Sequence, residues 1–547
     1  MKKVLLVLFA LYNISLMSQV IPQWTKTYNG PGNGYDEATA IWVDAAGNSY
    51  LGGESTGSGT GLDMAVVKYG PDGTQLWAAR YNGPGNGDDH GYLCKADALG
   101  NVYISGSSTG SGSGLDYCLI KYNSQGVQQW VYRYNGPGNA TDEVYSFQVD
   151  ASGNVYLTGY SHGTTTGDDV CTIKLNSSGS QQWIMRYDGS EHNDDYGNAI
   201  QIDALGNCYV TAAATSVNDL DYLNIKYDAS GNQMWAVTYD GSAHGEDFPS
   251  SNAIDNAGNL YAVGYITNTG SQHDYCVIKY NNSGVQQWVS TYNGPGNSND
   301  EAFSIVLDGQ NNVYITGNSY GNGTGDDYCT IKYNNSGAQQ WAARYDGGFN
   351  MDDYPDWLCV DATGNVYVTG LSQASNSFDD IITIGYNANG VQQWLHRYNG
   401  TGDSYDSGNS MGLDNHGGVY VAGGSDNADN TDFILLKYSS PIGIQPVSSE
   451  VPKSFSLLQN YPNPFNPSTT IDFSIPLSRG GAESRGVSVQ LKIYDMLGKE
   501  ISTLVNESLK PGSYEVKWNA SAFPSGIYFY RLITEGYTQT NKMILVK

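Results

Sequence analysis

From about residue 22 to 438 the chain is a succession of short runs in which apolar and polar residues alternate, broken by Gly, Asn and Asp. In each of eight segments one run ends at the Asp of a D-x-x-G pattern, with Asn311 in place of the Gly in one: Asp44, Asp97, Asp150, Asp203, Asp255, Asp308, Asp361 and Asp414. The residue before that Asp is always apolar, and so is the one two earlier, except at Asn252. Alternation with period two predicts strands with one face buried. A second run carries Tyr50, Tyr103, Tyr156, Tyr209, Tyr261, Tyr314, Tyr367 or Tyr420 and usually closes on Gly. A third leads from an Asp through an apolar pair to Lys-Tyr, as in Asp116 to Tyr122. A fourth holds a Trp, and Trp24, Trp77, Trp130, Trp183, Trp235, Trp288, Trp341 and Trp394 are spaced by 53, 53, 53, 52, 53, 53 and 53 residues.

Four strands per period of this size predict a propeller blade, since a solenoid of parallel strands uses a much shorter period. The chain opens with a Trp strand that lacks its three predecessors, and its last repeat stops at Tyr438 without one. The expectation is an all-β chain: an eight-bladed β-propeller of four-stranded antiparallel blades over residues 22–438. The N-terminal strand completes the last blade and removes an exposed edge. The G-N-x-Y-[VIL]-[TS]-G core, with D-Y-x-x-I-K-Y and G-x-Q-Q-W, resembles the secreted bacterial beta-propeller repeat family (SBBP). That resemblance implies a scaffold and names no reaction.

Beyond a linker at 439–453 the rhythm changes. Residues 454–547 hold six or seven short strands and read as an immunoglobulin-like β-sandwich. Within them, Tyr461, Pro462, Asn463, Pro464, Phe465, Asn466 and Pro467 follow Leu458-Gln459-Asn460, and Gly498, Gly526 and Tyr528 come later. These motifs resemble the type A sorting domain of the type IX secretion system. The resemblance implies Sec export, passage through the outer membrane of a Gram-negative cell, and the secretion machinery as partner. It also implies removal of the domain, with release or surface attachment. The polar insert Ser478 to Gly486 is expected to form a surface loop.

The N-terminus agrees: Lys2 and Lys3 precede an apolar run from Val4, which reads as a signal peptide over residues 1–18. No later run is long enough to span a membrane, so the mature protein is expected to be soluble or peripheral, and a monomer. A formal charge of −28 excludes nucleic acid and anionic membrane as partners, because such binders gain affinity from Lys and Arg on phosphates. Four of the seven Cys (Cys118, Cys171, Cys276, Cys329) share one repeat position and are expected to be small buried apolar residues.

Antiparallel order puts the second-to-third and fourth-to-first loops on one side of the ring, and both are acidic. The former end in Asp63, Asp116, Asp169, Asp221, Asp274, Asp327, Asp380 and Asp432, and the latter include Asp89, Asp195, Asp247 and Asp353. These twelve are the candidate ligand face, because variable loops on a rigid scaffold are where binding usually sits. Ca2+ is the one cofactor such carboxylates suggest. The competing reading is that they cap turns and keep the protein soluble. His192 and His244 share an offset beside Asp residues, yet no His or Cys spacing supports zinc. The Gly-rich stretches lead into strands, unlike phosphate loops. Lys68 and its counterparts are expected to pair with carboxylates. The functional expectation is a non-enzymatic surface scaffold binding an extracellular glycan, protein or matrix ligand. The alternative is a secreted carbohydrate-active hydrolase or lyase using loop carboxylates.

Overall fold

The computed structural model describes residues 18–547 apart from 20, 218, 374–377, 416, 428–429, 440–443, 449–451, 477–486, 510, 521–522 and 535. The expected signal peptide up to residue 17 and the insert Ser478 to Gly486 lie outside the described residues. The described chain is all-β and contains no helix.

Four-stranded antiparallel sheets recur through the first part, in a propeller-like arrangement. Each takes its strands in chain order, as in Asp142–Val149, Val155–His162, Asp168–Leu175 and Gln181–Tyr187. Eight such sheets are present among the described residues, and Trp24–Tyr28 supplies the fourth strand of the last, paired with Thr431–Ser439. Ser18–Gln19 adds a short parallel fifth strand against Trp394 and Leu395. The first strands of neighbouring sheets touch one another in an unbroken cycle, and Asp406–Leu413 of the last touches Asp36–Val43 of the first. First strands are therefore innermost and fourth strands outermost.

The D-x-x-G turn explains itself in hydrogen bonds. Asp44 Oδ1 accepts from the Ala46 and Asn48 amides, Oδ2 accepts from Asn48 Nδ2 and Tyr50 OH, and Gly47 takes the left-handed conformation. Sheets are stapled at the rim by the repeated Trp. Trp77 Nε1 donates to Ser124 O across the interface at 3.1 Å, and the same bond recurs at Trp130, Trp183, Trp235, Trp288 and Trp341. The indole lies on the Gly of that next turn: a Cβ on Gly126 would sit 2.7 Å from the Trp77 ring. The repeated Lys departs from expectation. Lys68, Lys121, Lys174, Lys226, Lys279 and Lys332 lie over the second-strand Tyr rings at 4.6–5.0 Å, and among the described residues Lys437 alone of this set pairs with a carboxylate, Asp414, at 3.7 Å. A half-buried ammonium gains from the ring face where no carboxylate is in reach. The seven Cys are free thiols, and Cys118, Cys171, Cys276 and Cys329 are buried, as their position implied.

The C-terminal part packs two four-stranded antiparallel sheets around one core that includes Phe465, Ile471, Leu491, Trp518, Tyr530 and Leu545. Ile444–Ser448, inside the expected linker, joins one of these sheets by pairing with Gly512–Asn519. In the expected motif Phe465 is buried against Trp518, Tyr528 OH donates to Pro524 O, and Gly498 has the left-handed conformation of its turn. Tyr461 is exposed.

Deleting residues 21–28 leaves Thr431–Ser439 with an unpaired edge. Calorimetry is expected to show Tm lower by roughly 5 °C or more, at about 2 °C per kcal/mol lost for a chain this large. Gel filtration is expected to show self-association.

Candidate functional site

The fourth-to-first loop and the second-to-third loop of each repeat do share one side of the ring. They are tied together there by the first-strand Asp: Asp36 Oδ2 accepts from the Gly30 amide at 2.7 Å, while Oδ1 accepts from Ser55 Oγ and the Thr56 amide. Asp89, Asp195, Asp247 and Asp353 repeat this clamp on Gly83, Gly189, Gly241 and Gly347. All four are buried. Burial raises their carboxyls first, against the hydrogen bonds that lower them, and Asp195, Asp247 and Asp353 reach about 6.

The third-strand set is also inside the protein. Asp63, Asp116, Asp169, Asp221, Asp274, Asp327 and Asp380 are each no more than 6% exposed. Five of them pair with a fourth-strand Arg at 2.5–2.9 Å: Arg80 with Asp63, Arg133 with Asp116, Arg186 with Asp169, Arg344 with Asp327 and Arg397 with Asp380. Asp221, Asp274 and Asp432 face Thr238, Thr291 and Thr27 at the Arg position, and Asp274 and Asp432 accept instead from Asn268 and Asn427. The structure thus places the candidate carboxylates at the base of the loops, where they hold loops to strands. His192 and His244 are held apart, each within its own turn. Both take positive φ, where five other repeats carry Asn and one carries Asp403, and their Nδ1 atoms lie 2.7 and 2.6 Å from Asp188 and Asp240.

What differs from sheet to sheet lies just inside that clamp, on the innermost strands. One residue after the capping Asp stand Glu37, His90, Glu143, Tyr196, Phe248, Glu301, Tyr354 and Ser407. Three residues after it the strand bulges: register shifts there from Ala38 to Ala40, from Val144 to Ser146 and from Pro355 to Trp357. A bulge leaves its extra residue out of the ladder and re-aims its side chain. The bulge also explains the Gly that recurs inside most second strands, for a Cβ on Gly53 would lie 2.0 Å from Glu37 O.

Three of the bulged side chains bridge neighbouring sheets as donors. Thr39 Oγ1 donates to Gly91 O at 2.6 Å, Asn198 Nδ2 to Pro249 O at 2.6 Å, and Asn409 Nδ2 to Ala38 O at 3.0 Å. In the seventh sheet the bulged residue is Asp356, which can donate only when protonated. Burial, then the charge of Glu37, pushes its carboxyl up to about 7. Glu37 is an acceptor, taking hydrogen bonds from Ser407 Oγ at 2.8 Å, Asn409 Nδ2 at 2.7 Å and Tyr35 OH. Tyr405 feels both: burial first, then Glu37 and Asp356, push its phenol up to about 12. Tyr35, Trp357 and Tyr405 remain 42%, 37% and 39% exposed, so the pair is flanked by accessible aromatic faces.

Two further groups line the same level. Tyr265 stacks on His273 at 4.1 Å and donates to Glu246 at 2.8 Å, and His273 Nδ1 lies 2.8 Å from Glu301. Across three sheets Tyr92, Tyr145, Tyr160 and Tyr196 form a chain of ring contacts beginning at His90, which pairs with Glu54. Sequence reasoning missed these residues because it looked for what recurs. The signal that could have found them is departure from the repeat.

Comparison with known proteins adds the following. Residues 459–547 match the family described as the secretion system C-terminal sorting domain. They are a type IX sorting domain. The protein is therefore exported by type IX secretion to the extracellular or cell-surface space. Part of the chain is 23% identical over 317 residues to an uncharacterized WD repeat-containing protein of Acanthamoeba polyphaga mimivirus, covering 46% of this chain and 22% of that protein's length. Similar solved structures include a polysaccharide lyase (12% identity, TM-score 0.40, 64% of this chain and 90% of that one) and an ulvan lyase of family PL25 (12%, TM-score 0.38, 76% and 96%). A putative glycosidase from Bacteroides thetaiotaomicron is also similar (8%, TM-score 0.23, 51% and 95%). The expectation that the protein is not an enzyme is corrected by this finding, since solved structures that resemble it are polysaccharide lyases. Among the described residues no helix is long and apolar enough to cross a membrane.

Two outcomes test the site's electrostatics. Arg133→Ala strands Asp116 without its cation and is expected to cost on the order of 3 kcal/mol, read by denaturant unfolding. Asp356→Asn tests the raised carboxyl. A raised folded-state pKa stabilises fully only below the unfolded value near about 3.9, and that contribution is lost as pH rises through about 7. The Tm advantage of Asn over Asp should be smallest near about pH 4, grow towards neutrality and level off above it.

Proposed function

We propose that this protein is a secreted carbohydrate-active enzyme, a glycoside hydrolase built on an eight-bladed propeller of the SBBP type. In this reading the N-terminal strand closes the last blade, a signal peptide over residues 1–18 is removed, and the sorting domain is an immunoglobulin-like sandwich. The observation that carries the proposal is Asp356, a carboxyl at a donor's position with Glu37 as its charged neighbour. Glycoside hydrolysis needs one carboxyl still protonated near neutrality to protonate the leaving oxygen, and a second, ionised one to activate water or attack the anomeric carbon. Asp356 fits the acid and Glu37 the base or nucleophile. Tyr35, Trp357 and Tyr405 offer the flat apolar faces on which sugar rings stack.

Charge narrows the substrate. A chain of net charge −28 with Glu37, Glu54, Glu143, Glu246 and Glu301 around the ring opening repels uronate and sulfate, so the substrate class is a neutral glycan. It also weighs against a lyase, whose substrate carries a carboxylate beside the bond that breaks.

The test is release of reducing ends from neutral glucans, mannans and xylans. The parent is expected to turn over at least one of them, with Asp356→Asn and Glu37→Gln each slower by roughly 10²–10⁴-fold although both remain folded. Full activity in both variants, or no cleavage of any neutral glycan, would sink the proposal. Products carrying a new C=C bond would replace hydrolysis by elimination.

A further inference from the structure

The repeats test one another at the junction of the fourth and fifth sheets. Three junctions place Asp at all three of the same positions: the third strand, the residue after the fourth strand, and the first-strand cap. These are Asp169, Asp188 and Asp195; Asp221, Asp240 and Asp247; and Asp327, Asp346 and Asp353. In the first and last a guanidinium neutralises the group, Arg186 at 2.5 Å from Asp169 and Arg344 at 2.7 Å from Asp327. In the middle one the Arg position is Thr238. The other repeats lacking Arg carry Asn293 and Asn29 in place of the second Asp, so they gather only two carboxylates.

At the middle junction one oxygen each from Asp221, Asp240 and Asp247 lies within 4.8 Å of the others, as it does for Asp327, Asp346 and Asp353, so the difference between the two is the Arg. Asp221 is 94% buried by its 6% exposure, and its Oδ1 has no hydrogen-bond partner. That oxygen is unpartnered at all eight third-strand Asp, but at five of them an Arg on the carboxylate carries the compensating charge, and Asp274 and Asp432 accept from Asn268 and Asn427. Asp247 already spends its oxygens on the Gly241 and Thr267 amides. His244 Nδ1 holds Asp240 from outside at 2.6 Å, as His192 holds Asp188 where Arg is present, so the imidazole does not replace the guanidinium. A buried carboxylate with two carboxylate neighbours, no guanidinium and only the His244 imidazole nearby is unfavourable as an ion unless it takes up a proton or a cation joins it.

We infer that Asp221, Asp240 and Asp247 bind one divalent cation, with calcium the fitting ion, in the space that Arg fills at the sister junctions. The donor set is oxygen alone, which suits a hard cation and disfavours zinc or copper. His244 then acts behind Asp240, orienting a ligand and touching no ion. The role is structural, locking two neighbouring sheets, and stands independently of the proposed hydrolysis.

The experiment is calcium titration of the full-length protein by calorimetry after chelator treatment, with Tm measured in calcium and in chelator. The parent is expected to take up one ion per chain and to gain Tm. Thr238→Arg, which copies the sister junctions, is expected to take up none and to hold in chelator a Tm at or above the parent's. Asp240→Asn, which copies Asn82 and Asn135, is expected to lose the ion as well, and Arg344→Thr to gain a second. A parent that binds no calcium, or a folded Thr238→Arg that binds it as the parent does, overturns the assignment.

Discussion

The fold depends on one contact repeated around the ring: an outer-strand indole laid on the glycine turn of the next sheet, with its N–H donated to a carbonyl beside that glycine. A single hydrogen bond of this kind contributes about 1 kcal/mol, which is small. Its value lies in coupling. A four-stranded sheet alone has two faces and can bury neither, so each repeat is stable only against its neighbours. The staple fixes the angle between neighbours, and a constant angle brings the first strand of the eighth sheet back to that of the first. Two of the eight Trp depart from it: Trp24 lies on the Gly73 turn without that bond, and Trp394 is fully buried, packed on Tyr367 and Tyr438, and makes no such bond. Trp394 sits where the chain leaves the ring for the C-terminal sheets, so its local surroundings differ.

A second constraint acts at the centre. Eight first strands crowd round one axis, and each relieves the crowding with a bulge three residues after its capping Asp. The bulged side chain then no longer pairs within its own sheet and reaches to the next. In three repeats, at Thr39, Asn198 and Asn409, that reach ends on a carbonyl and is purely structural. Asp356 puts a carboxyl at the same bulge position, a titrating group of which only the neutral form can donate. A structural device of the repeat thereby becomes chemistry by one substitution, and the neighbour that makes it matter, Glu37, comes from a sheet two places further round the ring.

Charge is organised by the same logic. The chain is strongly acidic, but much of its recurrent acidity is spent inside: Asp at the D-x-x-G turn builds the turn, Asp at the first strand clamps the loop, and Asp at the third strand meets Arg. Burying ions this way adds little net stability over an apolar core, but once made it enforces geometry, since removing one partner leaves a costly bare charge. Where the repeat drops its Arg, the remaining carboxylates must be satisfied by other means, by Asn268 or Asn427 in two cases.

Much of the architecture was legible in the residues. Alternation set the strands, the 53-residue Trp spacing set the repeat, and the orphan Trp24 strand announced that it pairs with the chain's other end. All three are local or periodic properties, and a strand's period-two pattern is written directly in the chain. The sorting domain was legible for the same reason, as contiguous motifs. The site was not. Reading repeated Asp as a ligand face failed to distinguish an acid that is exposed from one that is buried and bonded, since both give the same letter. Whether Asp63 meets Arg80, whether Lys68 finds a carboxylate or a ring, and whether Asp356 feels Glu37 depend on distances between residues tens to hundreds apart in sequence. Those distances exist only once the ring has closed, so tertiary structure alone decided them.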